Sequence, residues 1–421
     1  MTRSPESLAH DLLAAATRAG ADAADALAVA GTSTSIRVLN GALEHAERSE
    51  GVKIGLRVIL GQRQACVSAS DTKPETLREM AERAVAMARE APDDPTIGLA
   101  DPAQLAQGWD IAALDMCDPG LEPDPALLEA AALEAEAAAL AVRGITQVQS
   151  ASAGYGRRTR HLAATNGFSG GYTRTDHGLS CVAITGEGLE MERDYYGDMR
   201  IHRGDMDAPE TVGRIAAERT IARAGARQPK TGACPVLFDE RIAGSLVQHI
   251  LQAVNGVAIV RGASWLRDAL GERVLPKGIN LIEEPLRPRA SGSRPFDAEG
   301  LPTRTRAIIE DGLLTGWTLD LATARKLGLH STANAARGMS SPPAPSISNI
   351  ALTQSSASRD DLMAQMGTGL LITSLIGSSV NPNTGDYSRG ASGFWVEDGQ
   401  IAYPVNECTV AGNLRDMLRT V

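Results

Sequence analysis

Residues 50–92 read EGVKIGLRVILGQRQACVSASDTKPETLREMAERAVAMAREAP, and two periods follow one another inside this stretch. From Val52 to Val58 the apolar residues fall at every second position, the spacing of a half-buried strand. After Thr72 the pattern changes to Leu77, Met80, Ala81, Ala84 and Met87, an apolar stripe along one side of a helix. Thr72 and Glu75 fit a Thr-x-x-Glu capping box with Pro74 in the first turn, which predicts that the helix opens there. A helix striped on one side and joined to alternating strands covers a sheet face. The stretch therefore predicts an α+β chain in which helices lie on antiparallel strands.

Working outward, the alternation begins near Ser35, and Asn40-Gly41 supplies the positive-φ pair that a tight hairpin needs. Before it, Pro5 to Leu27 reads as a helix. A connector rich in Pro, Asp and Gly runs from Pro92 to about Pro125, and Asp124-Pro125 opens an Ala-rich helix ending near Gly144. Short strands are expected from Thr146 to Tyr196, with a second Asn-Gly turn at Asn166-Gly167. The two Asn-Gly turns are similarly placed; an old duplication would explain this, but shared turn chemistry is the simpler account. A polar helix from Pro209 to Ala224 leads to the Gln228–Gly232 turn, which divides an N-terminal α/β region (1–228, with possible sub-parts 1–95 and 120–228) from a domain at 229–421 dominated by antiparallel strands. In that domain Pro235–Phe238, Ala307–Glu310, Leu313–Leu319 and Leu370–Ile376 read as strands. Asp239–Val254, Leu321–Leu327 and Arg359–Met366 read as helices. The prolines of Gly338–Ser346 predict an exposed loop or cleft wall.

The chain of 421 residues is 43% hydrophobic and 22% charged, a globular composition too long for one ordinary core. A net charge of −10 argues against a nucleic-acid surface, and Arg157, Arg158 and Arg160 read as a solvated strand or turn. No apolar run approaches a membrane span, and Arg18, Asp22 and Asp25 interrupt any signal-peptide core. Five scattered cysteines with no CxxC suit a reducing cytoplasm, with thiols buried as small hydrophobes.

Four stretches, in order, carry a resemblance. They are residues 50–92; TNGFSGGYTRTDHGLSCVAI (165–184); GSRPFDAEGLPTRTRAIIEDGLLTGWTLDLATARKLG (292–328); and GDYSRGASGFWVEDG (385–399) running into QIAYPVNECTVAGNL (400–414). Together they resemble the TldD/PmbA family of bacterial and archaeal metalloprotease subunits. The resemblance implies an N-terminal α/β region, a β-rich C-terminal domain, and a cytoplasmic TldD–TldE complex that cleaves unfolded peptides. It also implies links to antitoxin turnover and to the older label of DNA gyrase modulator. No His-Glu-x-x-x-His occurs in the chain. The helix that would carry the family's zinc ligands reads Gln248-His249-Ile250-Leu251-Gln252-Ala253. A lone imidazole cannot hold zinc, and His249 at the edge of the helix's apolar arc reads as a structural histidine. The expectation is thus a metal-free, PmbA/TldE-type subunit with no cofactor and no catalytic residue. Zinc would be held by a TldD-like partner, and the chain would pair with itself in isolation. A regulatory protein acting on gyrase or toxin–antitoxin systems is the competing reading.

Candidate substrate-binding residues are Asp386, Tyr387, Ser388, Arg389 and Arg294. The first four stand between Gly385 and Gly390, which suggests a bent loop. Such a loop either grips a peptide or an interface, or is a tight turn stabilised by an Arg–Asp pair. Arg294, in Ser293-Arg-Pro-Phe-Asp297 with Arg304 and Arg306 nearby, either receives a peptide carboxylate or joins an internal ion-pair network.

Overall fold

The computed structural model describes residues 3–421. Ser4 accepts a hydrogen bond from the Ser7 N–H and Pro5 takes the first helical position, opening α1 (Pro5–Arg18). The helix ends nine residues before Leu27, because Gly20 turns the chain with φ +93° and Ala23 enters β1 (Ala23–Leu39). Ala favours helix intrinsically, yet here the Ala-rich segment pairs on both edges and buries Ala24, Ala26 and Ala28, so tertiary packing overrides propensity. Asn40 and Gly41, with φ of 56° and 73°, make the expected two-residue turn into β2 (Ala42–Leu60). β3 (Arg63–Ala69) and α2 (Pro74–Glu90) follow. The Thr72 capping box does not form. Pro74 is the first helical residue, Lys73 is the cap position without a side-chain bond, and Asp71 instead accepts from Lys73 N (3.1 Å) and Thr76 Oγ1 (2.8 Å).

After the short α3 (Ile111–Leu114), Asp124 caps α4 (Pro125–Leu140) as expected. The strands that follow are long, not short: β4 (Ile145–Ala164), β5 (Ser169–Thr185) and β6 (Glu192–Arg200), closed by α5 (Pro209–Ile221). All six strands form one antiparallel sheet in the order β3-β2-β1-β4-β5-β6. Even-numbered residues of β1 point to the helical layer, with Ala24, Ala26 and Ala28 against α1 and α2 and Ile36 and Val38 against α4 and α5. The α-β-β-β-α order of 5–90 recurs at 125–221, with β1 and β4 paired at the centre. The likeness thus extends over five elements, beyond what turn chemistry accounts for. The second Asn-Gly is not even a two-residue turn, since residues 165–168 connect the strands and Asn166 Oδ1 accepts from Phe168 N.

The opposite face of the sheet, including Leu27 and Leu162, packs on Phe296, Leu301 and Leu321 of the C-terminal domain. That domain contains, in chain order, β7 (Val236–Phe238), α6 (Glu240–Ala253), α7 (Gly256–Val260), β8 (Leu281–Glu283), β9 (Arg306–Glu310) and β10 (Leu313–Leu314). It continues with α8 (Leu321–Leu327), β11 (Ala335–Ala336), β12 (Ala344–Pro345), β13 (Ile350–Leu352), α9 (Arg359–Met366), β14 (Gly369–Val380), β15 (Asp386–Glu397), β16 (Gln400–Asn413) and α10 (Leu414–Arg419). Two four-stranded sheets result, β16-β15-β14-β7 and β10-β9-β8-β13, antiparallel except for β7 beside β14. The strand expected at Leu313–Leu319 shrinks to two residues. The proline-rich segment at 338–346 is not simply exposed. It lies on β2, where a Cβ at Gly55 would stand 2.2 Å from Met339 O.

Two charged clusters are sealed between the domains. Asp25 on β1 receives Arg57 Nε at 2.5 Å and is also paired with Arg337. Nearby, Asp297 accepts the N–H groups of Glu299, Leu301 and Ala335, and Glu299 accepts that of Leu321 at 2.9 Å. Burial pushes Asp297 up to about 6 and holds Glu299 well above the carboxylate range, where Asp297 and Asp320 add repulsion.

Candidate functional site

Asp386 opens strand β15, and residues 386–389 are extended, not bent into a loop. The reason is pairing on both sides: Tyr387 stands opposite Val380 of β14 and Gly412 of β16. Alternation along the strand then divides the four candidates. Asp386 and Ser388 face solvent, and Asp386 organises the preceding turn by accepting from Thr384 Oγ1 (2.6 Å) and Asn413 Nδ2 (3.0 Å). These bonds hold its pKa below the ordinary value. Tyr387 and Arg389 point the other way, toward α6.

Asp239 caps α6 by accepting from Arg241 N, and the helix turns Ser245 and His249, one turn apart, onto the inner sheet. His249 is buried, deeper than the edge position expected of it, with its ring edge-on to Tyr387 at 5.8 Å. Among the described residues no well-aligned hydrogen bond reaches either His249 nitrogen, Ser245 Oγ, Thr373 Oγ1 or Tyr387 Oη, although the Gln252 side chain stands close to His249 and Arg389 close to Tyr387. Each orphaned group costs about 1–3 kcal/mol, so this concentration beneath one helix is uneconomical as core and reads as a site. Burial lowers the His249 pKa; the Gln252 side chain opposes this and the Arg389 charge reinforces it. The imidazole is therefore neutral. Burial likewise raises Tyr387, with Arg389 opposing.

Arg389, Ser245 and Thr373 line a cleft of about 1380 Å³ between this domain and the β4–β6 end of the N-terminal sheet. Its walls are pinned across the junction by one ion pair, Arg241–Asp194, and one hydrogen bond, Arg223–Ser392, each arginine being held by a second partner on its own side. Arg241 bonds Asp194 of β6 (3.2 Å) and Asp239 (2.9 Å), while Arg223 bonds Glu192 (3.2 Å) and Ser392 Oγ (3.1 Å). Arg389 donates through Nε to Gly377 O at 2.7 Å, and among the described residues no carboxylate pairs with it. Along one rim runs β14. It meets β7 only at Leu370–Ile372, so from Thr373 to Ile376, all of which line the cleft, that edge has no strand beside it among the described residues. Ile376 is 72% exposed.

Arg294 lies elsewhere. It donates to Ser346 O at 2.6 Å and lines a narrow cavity with Arg160, Tyr172 and Arg337 on the β1/β4 side of the junction. Arg306 is bonded to Glu283 at 2.8 Å. The structure thus joins two of the five candidates, Tyr387 and Arg389, and adds Ser245, Thr373, Arg241 and Asp194. Only the Ser245–His249 spacing on a predicted helix signalled any of these additions.

The chemistry open to this set is limited. Ser245 and His249 make no hydrogen bond to each other, and no carboxylate orients the imidazole, so no nucleophile–base pair is assembled. Zinc does not fit either. One buried imidazole beside the Arg389 cation offers neither the ligand number nor the negative charge that zinc needs. Cys408, whose thiol donates to Ala391 O at 3.1 Å, is raised by burial and stays protonated.

Three family models cover the chain: the PmbA/TldA metallopeptidase domain 1 matches residues 24–88, the central domain 118–224 and the C-terminal domain 231–421. The metalloprotease PmbA of Escherichia coli O157:H7 is 37% identical over 391 residues, 93% of this chain and 84% of that protein. The chain belongs to the PmbA/TldD family. A crystal structure from Bacteroides thetaiotaomicron, described as a candidate modulator of DNA gyrase, superposes with a TM-score of 0.90 at 25% identity, covering 98% of this chain and 91% of that one. TldE from Thermococcus kodakarensis shares the fold, with a TM-score of 0.84 at 21% identity over 97% and 92% of the two chains. The PmbA/TldD architecture of helix-covered antiparallel sheet followed by a β-rich domain is therefore that of this chain. Among its described residues no helix is long and apolar enough to cross a membrane.

Proposed function

We propose that this chain is the subunit of a cytoplasmic TldD/TldE-type peptidase that holds no catalytic metal, and that its cleft holds unfolded peptide for a zinc-bearing, TldD-like partner. The observation that carries the reading is the β14 edge at Thr373–Ile376, unpaired among the described residues, facing a cleft lined by Ser245, Thr373 and the Arg389 cation. An extended peptide adds to such an edge through main-chain hydrogen bonds, which select for unfolded chain and not for sequence. Arg389 would receive a carbonyl or carboxylate of the peptide. No bond-breaking step is assigned to this chain, because its own residues assemble no activated nucleophile. Without its partner the chain would pair with itself about a two-fold axis.

The test is cleavage of an unfolded protein substrate by this chain alone, with added zinc, and mixed with its cognate TldD-like subunit. Activity in the mixture only, removed by a chelator, is expected. Chelator-sensitive activity from the chain alone would sink the proposal. A second reading, regulation of gyrase without proteolysis, is favoured by the descriptions of the Bacteroides thetaiotaomicron and Thermotoga maritima structures. Recovery of a gyrase subunit and no TldD-like chain in a pull-down would support it.

A further inference from the structure

Glu6 and His10 lie one turn apart on α1, and β4 brings His161 up beneath that helix, two residues before Ala163, which is buried in the same layer. Each of the three offers a ligand atom within 4.8 Å of the others, and among the described residues no other group of three or more His, Cys, Asp or Glu does so. The two imidazoles converge. His10 Nε2 lies 3.1 Å and His161 Nε2 2.9 Å from the single Ser169 hydroxyl, and the ring centroids are 6.0 Å apart.

The local sequence makes room for this arrangement. Gly171 stands opposite His161 in the β4–β5 ladder, and a Cβ there would lie 2.7 Å from His161 Nδ1. Glycine therefore lets the ring lie along the sheet with Nε2 turned toward α1. Burial holds the His161 pKa below its ordinary value, with Glu6 opposing and His10 reinforcing, and neutral imidazole is the form that binds metal.

We propose that Glu6, His10 and His161 bind one divalent transition-metal ion of the zinc class. The imidazoles would bind through Nε2 and Glu6 through its carboxylate, leaving a fourth position to water. Two nitrogen ligands disfavour calcium and magnesium, which take oxygen, and a His₂Glu set is a zinc set. Tetrahedral zinc at about 2.1 Å needs ligand atoms roughly 3.4 Å apart, which rotamer changes of the two exposed α1 side chains supply. The site is separate from the cleft, whose β4 wall at Gln147–Ser150 lies roughly 40 Å along the strand at about 3.3 Å per residue. A bound ion cross-links the N-terminal helix to the central strand.

The test is titration of the full chain with Zn²⁺ against a chromophoric chelator, repeated with Co²⁺ to read the ligands from its visible spectrum. One equivalent is expected, with Co²⁺ bands of nitrogen and oxygen ligation. His10→Ala/His161→Ala is expected to weaken binding about 100-fold or more and Glu6→Gln about tenfold, with the metal-free circular dichroism unchanged. Either variant alone suffices should the other fold poorly. No wild-type binding tighter than about 100 μM, a thiolate band placing Co²⁺ on cysteine, or full binding by the double variant would each overturn the proposal.

Discussion

Arg389 and Asp386 are three residues apart, yet strand alternation and the turn before β15 send one into the cleft and leave the other holding that turn. Arg389→Ala is accordingly expected to weaken binding of an unfolded peptide about tenfold, the scale of one charge-assisted hydrogen bond, while Ser388→Ala leaves it unchanged. Fluorescence anisotropy of a labelled peptide measures both. Glu299 gives a second prediction at this scale. Its folded pKa is raised, and that of its neighbour Asp297 is raised to about 6, so the neutral forms are favoured in the fold. The contribution to stability is full below the unfolded carboxylate pKa of about 4 and is lost as pH rises through about 6. Glu299→Gln keeps an acceptor for Leu321 N and cannot ionise. It should raise the melting temperature at pH 7–8, by on the order of 1–3 kcal/mol of stability, and flatten the pH dependence above about 4, the unfolded carboxylate pKa. An unchanged pH profile would show that the pair is not buried as described.

At the scale of elements, the free stretch of β14 makes a prediction about the ligand. Edge addition bonds alternate residues of the incoming strand, so N-methylation of one alternate set should reduce peptide affinity at least about tenfold while methylation of the other set is tolerated. Equal loss from both sets, or none, contradicts strand addition; competition binding distinguishes these. The helical layer makes another. Gly213 of α5 faces Ala135 of α4 so closely that a Cβ would stand 2.0 Å from Ala135 O. Gly213→Ala must push the helices apart and should cost about 1–3 kcal/mol in urea denaturation. The sequence announced many of these elements, because strand alternation, Asn40-Gly41 and Asp124-Pro125 act locally. It misjudged α1 and the Thr72 cap, where sheet pairing and a proline one position away decided the outcome.

For the whole molecule, the Asp25–Arg57–Arg337 cluster joins the two regions with hardly any solvent to compensate a missing partner. Arg337→Ala leaves part of the Asp25 charge uncompensated and should destabilise the chain by about 3–5 kcal/mol, read as a lowered denaturation midpoint. Because the cleft walls are tied across the same junction by Arg223 to Ser392 and Arg241 to Asp194, loosening it should also weaken peptide binding. A midpoint equal to wild type would mean that the Asp25–Arg57–Arg337 cluster does not hold the two regions together.

The sequence by itself determined the α+β class, most helices and turns, the family, and the lack of paired zinc ligands on α6, since each rests on residues close in the chain. It could not assemble the site. Ser245, Thr373, Tyr387 and Arg389 come from three elements, and Asp194 from a strand of the other region. Nor could it show that His10 and His161 meet. Residues about 50 to 200 positions apart become neighbours only through sheet register and the docking of helices, and single-segment patterns carry no record of either.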